Sequence, residues 1–207
     1  MSLSALLSDP LLSLWGQPVT GLEVIAFVSG LASVWLTYRM HIANWPLGMV
    51  SVGCYAWLFF HARLYADASL QLAFIGLGAY GWWSWLRGRR ERPRIAVSRA
   101  AWRECALVGG VTLAAILAVA LFLHRHTDSP APLLDASVFS LSLAATYGQA
   151  RARLESWWLW IAVDLISIPL YWSRSLPLTA FLYILFLLIC LRGLAGWSSQ
   201  LPGKAAA

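Results

Sequence analysis

Long apolar runs, separated by short polar breaks, dominate the pattern of the chain. The runs lie at residues 21–38, 46–62, 66–86, 102–123, 135–150, 157–173 and 177–196. Within them apolar residues do not alternate with polar ones, as the strands of a membrane barrel would require. A spanning helix needs about 20 predominantly apolar residues. The pattern therefore predicts an all-α integral membrane protein with seven transmembrane helices.

The polar breaks carry signals for where helices begin. Thr20 and Glu23 have the spacing of a capping box at the start of the first helix. Pro46 and Pro177 suit the first turns of the second and seventh helices. Ahead of the first span, residues 3–15 carry leucines at a spacing that predicts a short interfacial helix.

Composition and charge support the membrane class. Hydrophobic residues make up 60% of the 207 residues and charged residues 12%, whereas about a quarter of a soluble domain is charged. Seven of the 15 basic residues lie between Arg87 and Arg103, which is typical of a cytoplasmic loop and argues against nucleic-acid binding. Because 12 basic residues fall on one side of the predicted spans and 3 on the other, we expect the N-terminus outside and the C-terminus in the cytoplasm.

An internal repeat appears when the chain is aligned with itself at an offset of 112 residues. Between residues 23–85 and 135–197, 13 of the 63 positions are identical, including Trp45 with Trp157. Each copy contains three predicted helices, and the fourth helix lies outside both. This predicts a 3+1+3 arrangement of two parallel three-helix repeats, with a site between them at the midplane. A structural bundle that arose by duplication is the alternative.

The repeat also predicts how the chain is organised. The expected segments are an N-terminal segment (1–19), a first three-helix repeat (20–86), a basic cytoplasmic loop with the linking helix (87–131), a second three-helix repeat (132–198) and a C-terminal tail (199–207).

Asp164 is the sharpest candidate for function. It lies in the middle of the sixth span, where a carboxylate costs about 2.5–3.5 kcal/mol to insert. Such a residue usually faces a cavity or a partner. The same helical face carries side chains that suit a flat, cationic ring, namely Trp157, Trp160, Ser167 and Tyr171. A structural hydrogen bond to a neighbouring helix is the alternative.

Polar residues of other predicted helices extend this candidate substrate site. Gln71 can both donate and accept hydrogen bonds, and Tyr183 occupies its position in the second repeat. Ser51 and Tyr55 share a face of the second helix. Asn44 opens that helix, as a contact or as a cap. Each of these residues has a structural alternative as an interhelical hydrogen bond.

The remaining tryptophans and the cysteines are given structural roles. Anchoring at the membrane surface is predicted for Trp45, Trp85 and Trp197. Membrane packing is predicted for Cys54, Cys105 and Cys190. The sequence contains no P-loop, no dinucleotide fingerprint and no nucleophile elbow. We therefore expect no cofactor, no metal site and no enzymatic activity.

The motifs resemble those of the PnuC family of vitamin transporters over residues 20–198. In the first half they are Asn44–Gly48, Leu64–Asp67 followed by Gln71, and Tyr80–Trp85. In the second half they are Asp135, Arg151 and Glu155–Trp160 followed by Asp164. The resemblance implies a SWEET-like bundle in a bacterial inner membrane, in contact with lipid, and it permits a homotrimer. It assigns substrate contacts to Gln71, Trp160 and Asp164.

The same resemblance implies a function. It is the uptake of nicotinamide riboside by facilitated diffusion, a uniport, with the substrate trapped inside by a separate kinase. Nicotinamide riboside members often carry Asn at the positions of Asp164 and Ser51. Thiamine, which is also a cationic heterocycle, is therefore the alternative cargo. A non-transporting membrane receptor or subunit is the alternative of another class.

Overall fold

The computed structural model describes residues 10–14, 17–61, 65–91, 96–173 and 177–201. In this part of the chain the strands are β1 (Pro10–Leu14) and β2 (Gln17–Thr20), and the helices are α1 (Gly21–Tyr38), α2 (Asn44–His61), α3 (Tyr65–Glu91), α4 (Trp102–His126), α5 (Pro132–Ala150), α6 (Glu155–Ser173) and α7 (Pro177–Ser198). The seven predicted helices are confirmed, since each predicted segment overlaps one observed helix.

The helices are long enough for a membrane. Each contains at least 18 residues, or about 27 Å at the helical rise. Within the described ranges, three helices are also apolar enough to cross a membrane, namely Gly21–Tyr38, Trp102–His126 and Ala180–Ser198. Helix α4 has no buried residue. Such a surface suits contact with lipid.

The chain divides into two compact units, Met1–Leu86 and Arg87–Ala207. In the first unit α1 packs against α2, and β2 contacts α1. In the second unit α4 packs against α5, α5 against α6, and α6 against α7. The helix that lies outside the sequence repeat therefore packs within the second unit.

The start of α1 has the predicted capping box. The Thr20 hydroxyl accepts a hydrogen bond from the Glu23 amide at 3.3 Å, and the Thr20 amide donates to the Glu23 carboxylate at 2.7 Å. Two backbone N–H groups at the helix end are thereby satisfied. The prediction made from these two residues is confirmed.

The predicted interfacial helix at residues 3–15 is wrong where the structure describes it. Residues 10–14 form strand β1, which pairs antiparallel with β2 from Pro10↔Thr20 to Leu14↔Gln17. Residues 3–9 and 15 lie outside the described residues. A helix here would be short for independent stability, and Pro10, inside the predicted segment, has no N–H to donate within a helix. Pairing with β2 gives the backbone of β1 an alternative set of hydrogen bonds.

Small residues let α1 and α2 approach each other closely. A Cβ added at Gly30 would lie 2.9 Å from the hydroxyl of Ser51, and one added at Gly48 would lie 2.9 Å from that of Ser33. The Ser51 hydroxyl also donates to the carbonyl of Ala26 at 2.7 Å. This close approach with hydrogen bonds between helices is typical of helix pairs in membranes.

The segment before α4 is tied to the turn between α5 and α6. Ser98 forms an isolated bridge with this turn, as its amide donates to Ala152 at 3.1 Å and its carbonyl accepts from Leu154 at 3.0 Å. The guanidinium of Arg153 pairs with Glu104 of α4 at 2.7 Å. The beginning of α4 is therefore held to the second unit by both backbone and side-chain contacts.

The backbone repeats at the same offset as the sequence. Helices α1 and α5 have equivalent C-cap residues, Arg39 and Arg151. The next residue adopts a left-handed conformation in both turns, with φ 53° at Met40 and 51° at Ala152. In both turns the following amide donates at 2.9 Å to the carbonyl five residues earlier. This is the Schellman geometry that ends helices, and here it occurs twice without glycine.

Two tryptophan pairs also repeat at this offset. The rings of Trp45 and Trp85 meet at 5.5 Å and 89° in the first unit, and those of Trp157 and Trp197 at 5.3 Å and 88° in the second. All four side chains are buried. The prediction that Trp45, Trp85 and Trp197 anchor helix ends at the membrane surface is therefore wrong. The sequence alone does not distinguish tryptophans exposed at the membrane surface from tryptophans buried between helices. Only the packing of the helices does.

A glycine completes each pair. A Cβ at Gly81 would overlap the ring of Trp45, and a Cβ at Gly193 would overlap the ring of Trp157. The absence of a side chain lets each indole lie against the backbone of the facing helix. We refer to Trp45–Gly81–Trp85 and Trp157–Gly193–Trp197 as the two Trp–Gly–Trp clusters.

Candidate functional site

Two ring contacts join α6 to α7, namely Trp157 with Trp197 and Tyr171 with Tyr183. Asp164 and Cys190 each lie seven residues from both contacts on their own helices, which places them at the same level. Each step of seven residues forward along α6 is matched by a step of seven back along α7, as in the seam of an antiparallel helix pair. Seven residues rise about 10 Å. Asp164 therefore lies between two aromatic layers, each about two helical turns away.

Asp164 is buried and only partly satisfied. It lies at the centre of α6 and is 1% exposed. Its Oδ2 has no hydrogen-bond partner within the described part of the chain. None of the described Lys, Arg or His side chains forms an ion pair with it. A buried carboxylate without a cation is costly, and a ligand can supply the missing contact.

Further buried polar atoms of the second unit also lack hydrogen-bond partners among the described residues. They are Nε1 of Trp157, Nε1 of Trp160, Oγ of Ser167 and Oγ of Ser140. The first three belong to the same face of α6 as Asp164, at helical spacing. Most buried polar groups in proteins are paired. Their concentration on one face is therefore typical of a site that a ligand or water completes.

A stacked pair of tyrosines forms one end of this region. The rings of Tyr171 and Tyr183 lie 5.2 Å apart at 22°, and Phe186 meets Tyr183 edge-on at 5.8 Å. Tyr183 also lies within electrostatic reach of Asp164 and beside Ser167. Aromatic faces next to a carboxylate can hold a flat, cationic ring.

The structure brings together the predicted site residues of the second unit. Asp164, Ser167 and Tyr171 of α6 lie near Tyr183 of α7, and Trp160 belongs to the same face of α6 at helical spacing. Trp157 lies on the same face of α6, but its ring is 0% exposed and is packed against Trp197. A role for Trp157 in binding stays a prediction.

Two of the predicted site residues of the first unit form hydrogen bonds to α1. The hydroxyl of Ser51 donates to a carbonyl of α1, and Nδ2 of Asn44 donates to the hydroxyl of Thr37 at 2.9 Å. Both side chains thus link α2 to α1. Gln71 on α3 and Tyr55 on α2 are partly exposed. A role for these four residues in binding stays a prediction.

Cys190 is not among the site residues predicted from the sequence, because the sequence pattern assigns it to membrane packing. A signal for Cys190 is present in the sequence, because it lies seven residues after Tyr183 and hence on the same face of α7. The opposite register of α6 and α7, which pairs Cys190 with Asp164, is not available from the sequence.

Comparison with known proteins assigns the chain to a family. The sequence profile described as nicotinamide mononucleotide transporter matches residues 20–199. The riboflavin/roseoflavin transporter RibM of Streptomyces davaonensis is 27% identical over 187 residues, covering 89% of this chain and 87% of RibM. The nicotinamide riboside transporter PnuC of Escherichia coli is 24% identical, covering 88% of this chain and 87% of that protein.

Further relatives agree with this assignment. The nicotinamide riboside transporter PnuC of Neisseria mucosa is 26% identical over 195 residues, covering 88% of this chain and 73% of that protein. A crystal structure of the vitamin B3 transporter PnuC superposes with a TM-score of 0.68 at 24% identity, covering 86% of this chain and 81% of that one. This superposition shows that the fold is shared. The resemblance found in the sequence motifs is thereby confirmed, and the chain belongs to the nicotinamide mononucleotide transporter family of membrane transporters.

Proposed function

We propose that the protein takes up nicotinamide riboside by facilitated diffusion across a bacterial inner membrane. The observation that carries this proposal is the buried carboxylate of Asp164, whose Oδ2 has no partner among the described residues. In the same proposal the N-terminus lies outside, and a separate kinase traps the substrate in the cytoplasm. The sequence contains no P-loop, which is in keeping with transport that does not use ATP within this chain.

The charge of Asp164 favours a cationic substrate. Nicotinamide riboside carries a positive charge on its pyridinium ring. Opposite charges in a water-poor site attract more strongly than in bulk water. A cation between the carboxylate and the stacked rings of Tyr171 and Tyr183 would satisfy both the charge and the aromatic faces. The indole N–H of Trp160 can donate to a carbonyl, such as that of a carboxamide.

Riboflavin is the second candidate, and a specific observation favours it. RibM, whose name gives riboflavin as its cargo, is 27% identical to this chain over 89% of its length. The isoalloxazine ring is flat and would fit aromatic walls, but it is neutral and leaves the charge of Asp164 uncompensated. Thiamine, the alternative from the sequence, is a cation and differs from nicotinamide riboside in lacking a carboxamide and a ribose.

Uptake into proteoliposomes tests these candidates. The purified protein is reconstituted, and saturable uptake of radiolabelled nicotinamide riboside, thiamine and riboflavin is compared without ATP or an ion gradient. We expect saturable uptake of nicotinamide riboside, with the other two vitamins competing weakly. We expect Asp164→Asn to weaken its binding by about tenfold, because the carboxylate charge is lost.

Asp128→Asn is the matched control. Asp128 is exposed in the loop after α4, so the same chemical change there should leave binding unaltered. The proposal that nicotinamide riboside is the cargo would be overturned by the following result. Riboflavin uptake exceeds that of nicotinamide riboside, and Asp164→Asn leaves riboflavin uptake unchanged. Accumulation above equilibrium that depends on an ion gradient would overturn facilitated diffusion.

A further inference from the structure

The turns that follow α1 and α5 share their internal hydrogen bonds. In the first unit, four backbone amides of the turn donate to carbonyls of the same region, namely Met40 to Thr37, His41 to Leu36, Asn44 to His41 and Trp45 to Ile42. The second unit repeats all four bonds between the equivalent residues, at positions 148–157. The two turns therefore present the same backbone groups to any segment that lies across them.

A segment of the chain covers this turn in the second unit. It consists of residues 97–104, which we call the strap. The amide of Ser98 donates to the carbonyl of Ala152 at 3.1 Å, and the amide of Leu154 donates to the carbonyl of Ser98 at 3.0 Å. Ala152 is 3% exposed and Leu154 is 4% exposed. The strap therefore satisfies the two backbone groups that the turn itself leaves without a partner.

The equivalent turn of the first unit is not covered by any described residue in this way. Met40 and Ile42 occupy the positions of Ala152 and Leu154. The carbonyl of Met40 and the amide of Ile42 have no hydrogen-bond partner among the described residues, and both residues are partly exposed. We call these two groups the open edge. A carbonyl and an amide with free bonds are what an extended peptide segment uses to add itself to a protein.

The charges beside the two turns differ in the same sense. In the second unit Glu104 of the strap pairs with Arg153 at 2.7 Å and with Arg151 at 3.3 Å. Arg39, the equivalent of Arg151, is exposed and forms no ion pair among the described residues. Its guanidinium lies over the ring of Trp35, at 5.5 Å from the centroid. The first turn therefore has an uncompensated positive charge where the second turn has an ion pair.

We propose that the α1–α2 turn is a docking site for an extended segment of a partner protein that carries a carboxylate. One residue of this segment pairs with the open edge, as Ser98 pairs with the second turn, and the carboxylate pairs with Arg39. The strap identifies the occupant, because it shows which groups satisfy the same turn geometry. A phosphate group of a lipid could neutralise Arg39, but it has no N–H to donate to the carbonyl of Met40.

This docking site is separate from the region around Asp164 and goes beyond the proposed function. The proposed orientation of the chain places the α1–α2 turn in the cytoplasm, so the partner is a cytoplasmic protein. The pairing itself does not depend on which vitamin is transported.

The sequence of the strap supplies the probe for a test. A peptide with the sequence of residues 96–104, amidated at its C-terminus and labelled with a dye at its N-terminus, is titrated with the full chain in phosphatidylcholine nanodiscs. Fluorescence anisotropy gives the dissociation constant. We expect saturable binding at a single site per chain, because the second turn is already covered. The same peptide with Ser98→Pro should bind about tenfold more weakly, since proline has no N–H for the carbonyl of Met40.

Arg39→Gln and Arg151→Gln are the matched variants of the protein. They remove the same charge at equivalent positions, but Glu104 already neutralises Arg151. We expect Arg39→Gln to weaken binding of the peptide by about two- to fivefold, as for an exposed ion pair. Arg151→Gln should leave the dissociation constant unchanged. Melting temperatures of both variants without peptide show that they are folded.

The proposal would be overturned by any of three results. The first is the absence of saturable binding, and the second is equal binding of the wild-type and Ser98→Pro peptides. The third is equal weakening by Arg39→Gln and Arg151→Gln, which would show an effect of net charge alone. If the peptide does not bind, and phosphatidylglycerol raises the melting temperature of the wild type but not of Arg39→Gln, the turn binds lipid headgroups instead. Because no vitamin is present, failure of the proposed transport function leaves these measurements unchanged.

Discussion

Met40 and Ala152 lie 112 residues apart and share the same left-handed backbone, with φ 53° and 51°. Both follow the C-cap residue of a helix, and both turns have the same backbone hydrogen bond to the carbonyl five residues earlier. A non-glycine residue in this region costs about 1–2 kcal/mol. The two units therefore share the same strained turn geometry with different side chains.

The strain at these turns gives the first prediction. Ala152→Gly should stabilise the protein by about 0.5–1 kcal/mol, because glycine adopts a positive φ without a Cβ penalty but loses more entropy on folding. Thermal unfolding in detergent, followed by tryptophan fluorescence, measures the effect. Ala195→Gly in α7 is the control, and it should destabilise the protein by up to about 1 kcal/mol. A lower melting temperature for Ala152→Gly would contradict the assigned turn.

The Trp–Gly–Trp clusters give the second prediction. Gly193→Ala should destabilise the protein by about 1–3 kcal/mol, since the new methyl group overlaps the ring of Trp157. Trp157→Phe in the same chain should recover part of the loss, because a smaller ring leaves room for the methyl group. Gly76→Ala is the matched control. It lies in α3 with no atom within 4 Å of the added Cβ, so it should be neutral or stabilising.

The fold was largely predictable from the sequence because burial in lipid leaves few options for the backbone. A segment of about 20 apolar residues must satisfy its hydrogen bonds internally, and caps such as Thr20–Glu23 mark where it begins. The N-terminal hairpin was not predicted, since leucines in a short segment suit a strand or a helix equally. The buried state of Trp45 and Trp197 was also missed, because it depends on packing between helices that the sequence does not specify.

The site was predictable only in part, for a related reason. The periodicity of one helix placed Trp160, Asp164 and Ser167 on one face, and that placement follows from residue spacing alone. Which residues of α7 face them depends on the register of two antiparallel helices. A shift of one turn in this register would place another residue of α7, instead of Cys190, beside Asp164. No pattern within either helix specifies the register.

The indole of Trp160 gives the third prediction. Trp160→Phe keeps an aromatic face but removes a buried N–H that has no partner among the described residues. We expect it to weaken substrate binding by about three- to tenfold, with little change in melting temperature. Trp158→Phe is the control, because Trp158 is a neighbouring tryptophan of α6 that is 60% exposed. Equal dissociation constants for Trp160→Phe and the wild type would show that the indole N–H does not bind the substrate.

The ion pairs at the start of α4 give the fourth prediction. Glu104 contacts Arg153 at 2.7 Å and Arg151 at 3.3 Å, and its side chain is 20% exposed. Glu104→Gln should lower the stability by about 0.5–1 kcal/mol, since partly exposed ion pairs contribute little. The difference from the wild type should shrink at high salt, which screens such charges.

Melting temperatures at low and high salt measure this effect. Asp128→Asn, in the exposed loop after α4, removes a carboxylate without these partners and serves as the control. A difference between Glu104→Gln and the wild type that stays constant with salt would show that packing, rather than charge, holds α4 to the turn between α5 and α6.

The Trp–Gly–Trp cluster occurs in both units, whereas the buried carboxylate of Asp164 has the apolar Val52 as its equivalent in the first unit. A packing contact stabilises whichever copy contains it, so both copies retain it. A buried charge destabilises every copy that contains it, by about 2.5–3.5 kcal/mol at the centre of a span, and under the proposed function one is sufficient to recognise one cargo. Laboratory selection for a new vitamin should therefore accumulate substitutions around α6 and α7, while the equivalent positions of α2 and α3 stay apolar.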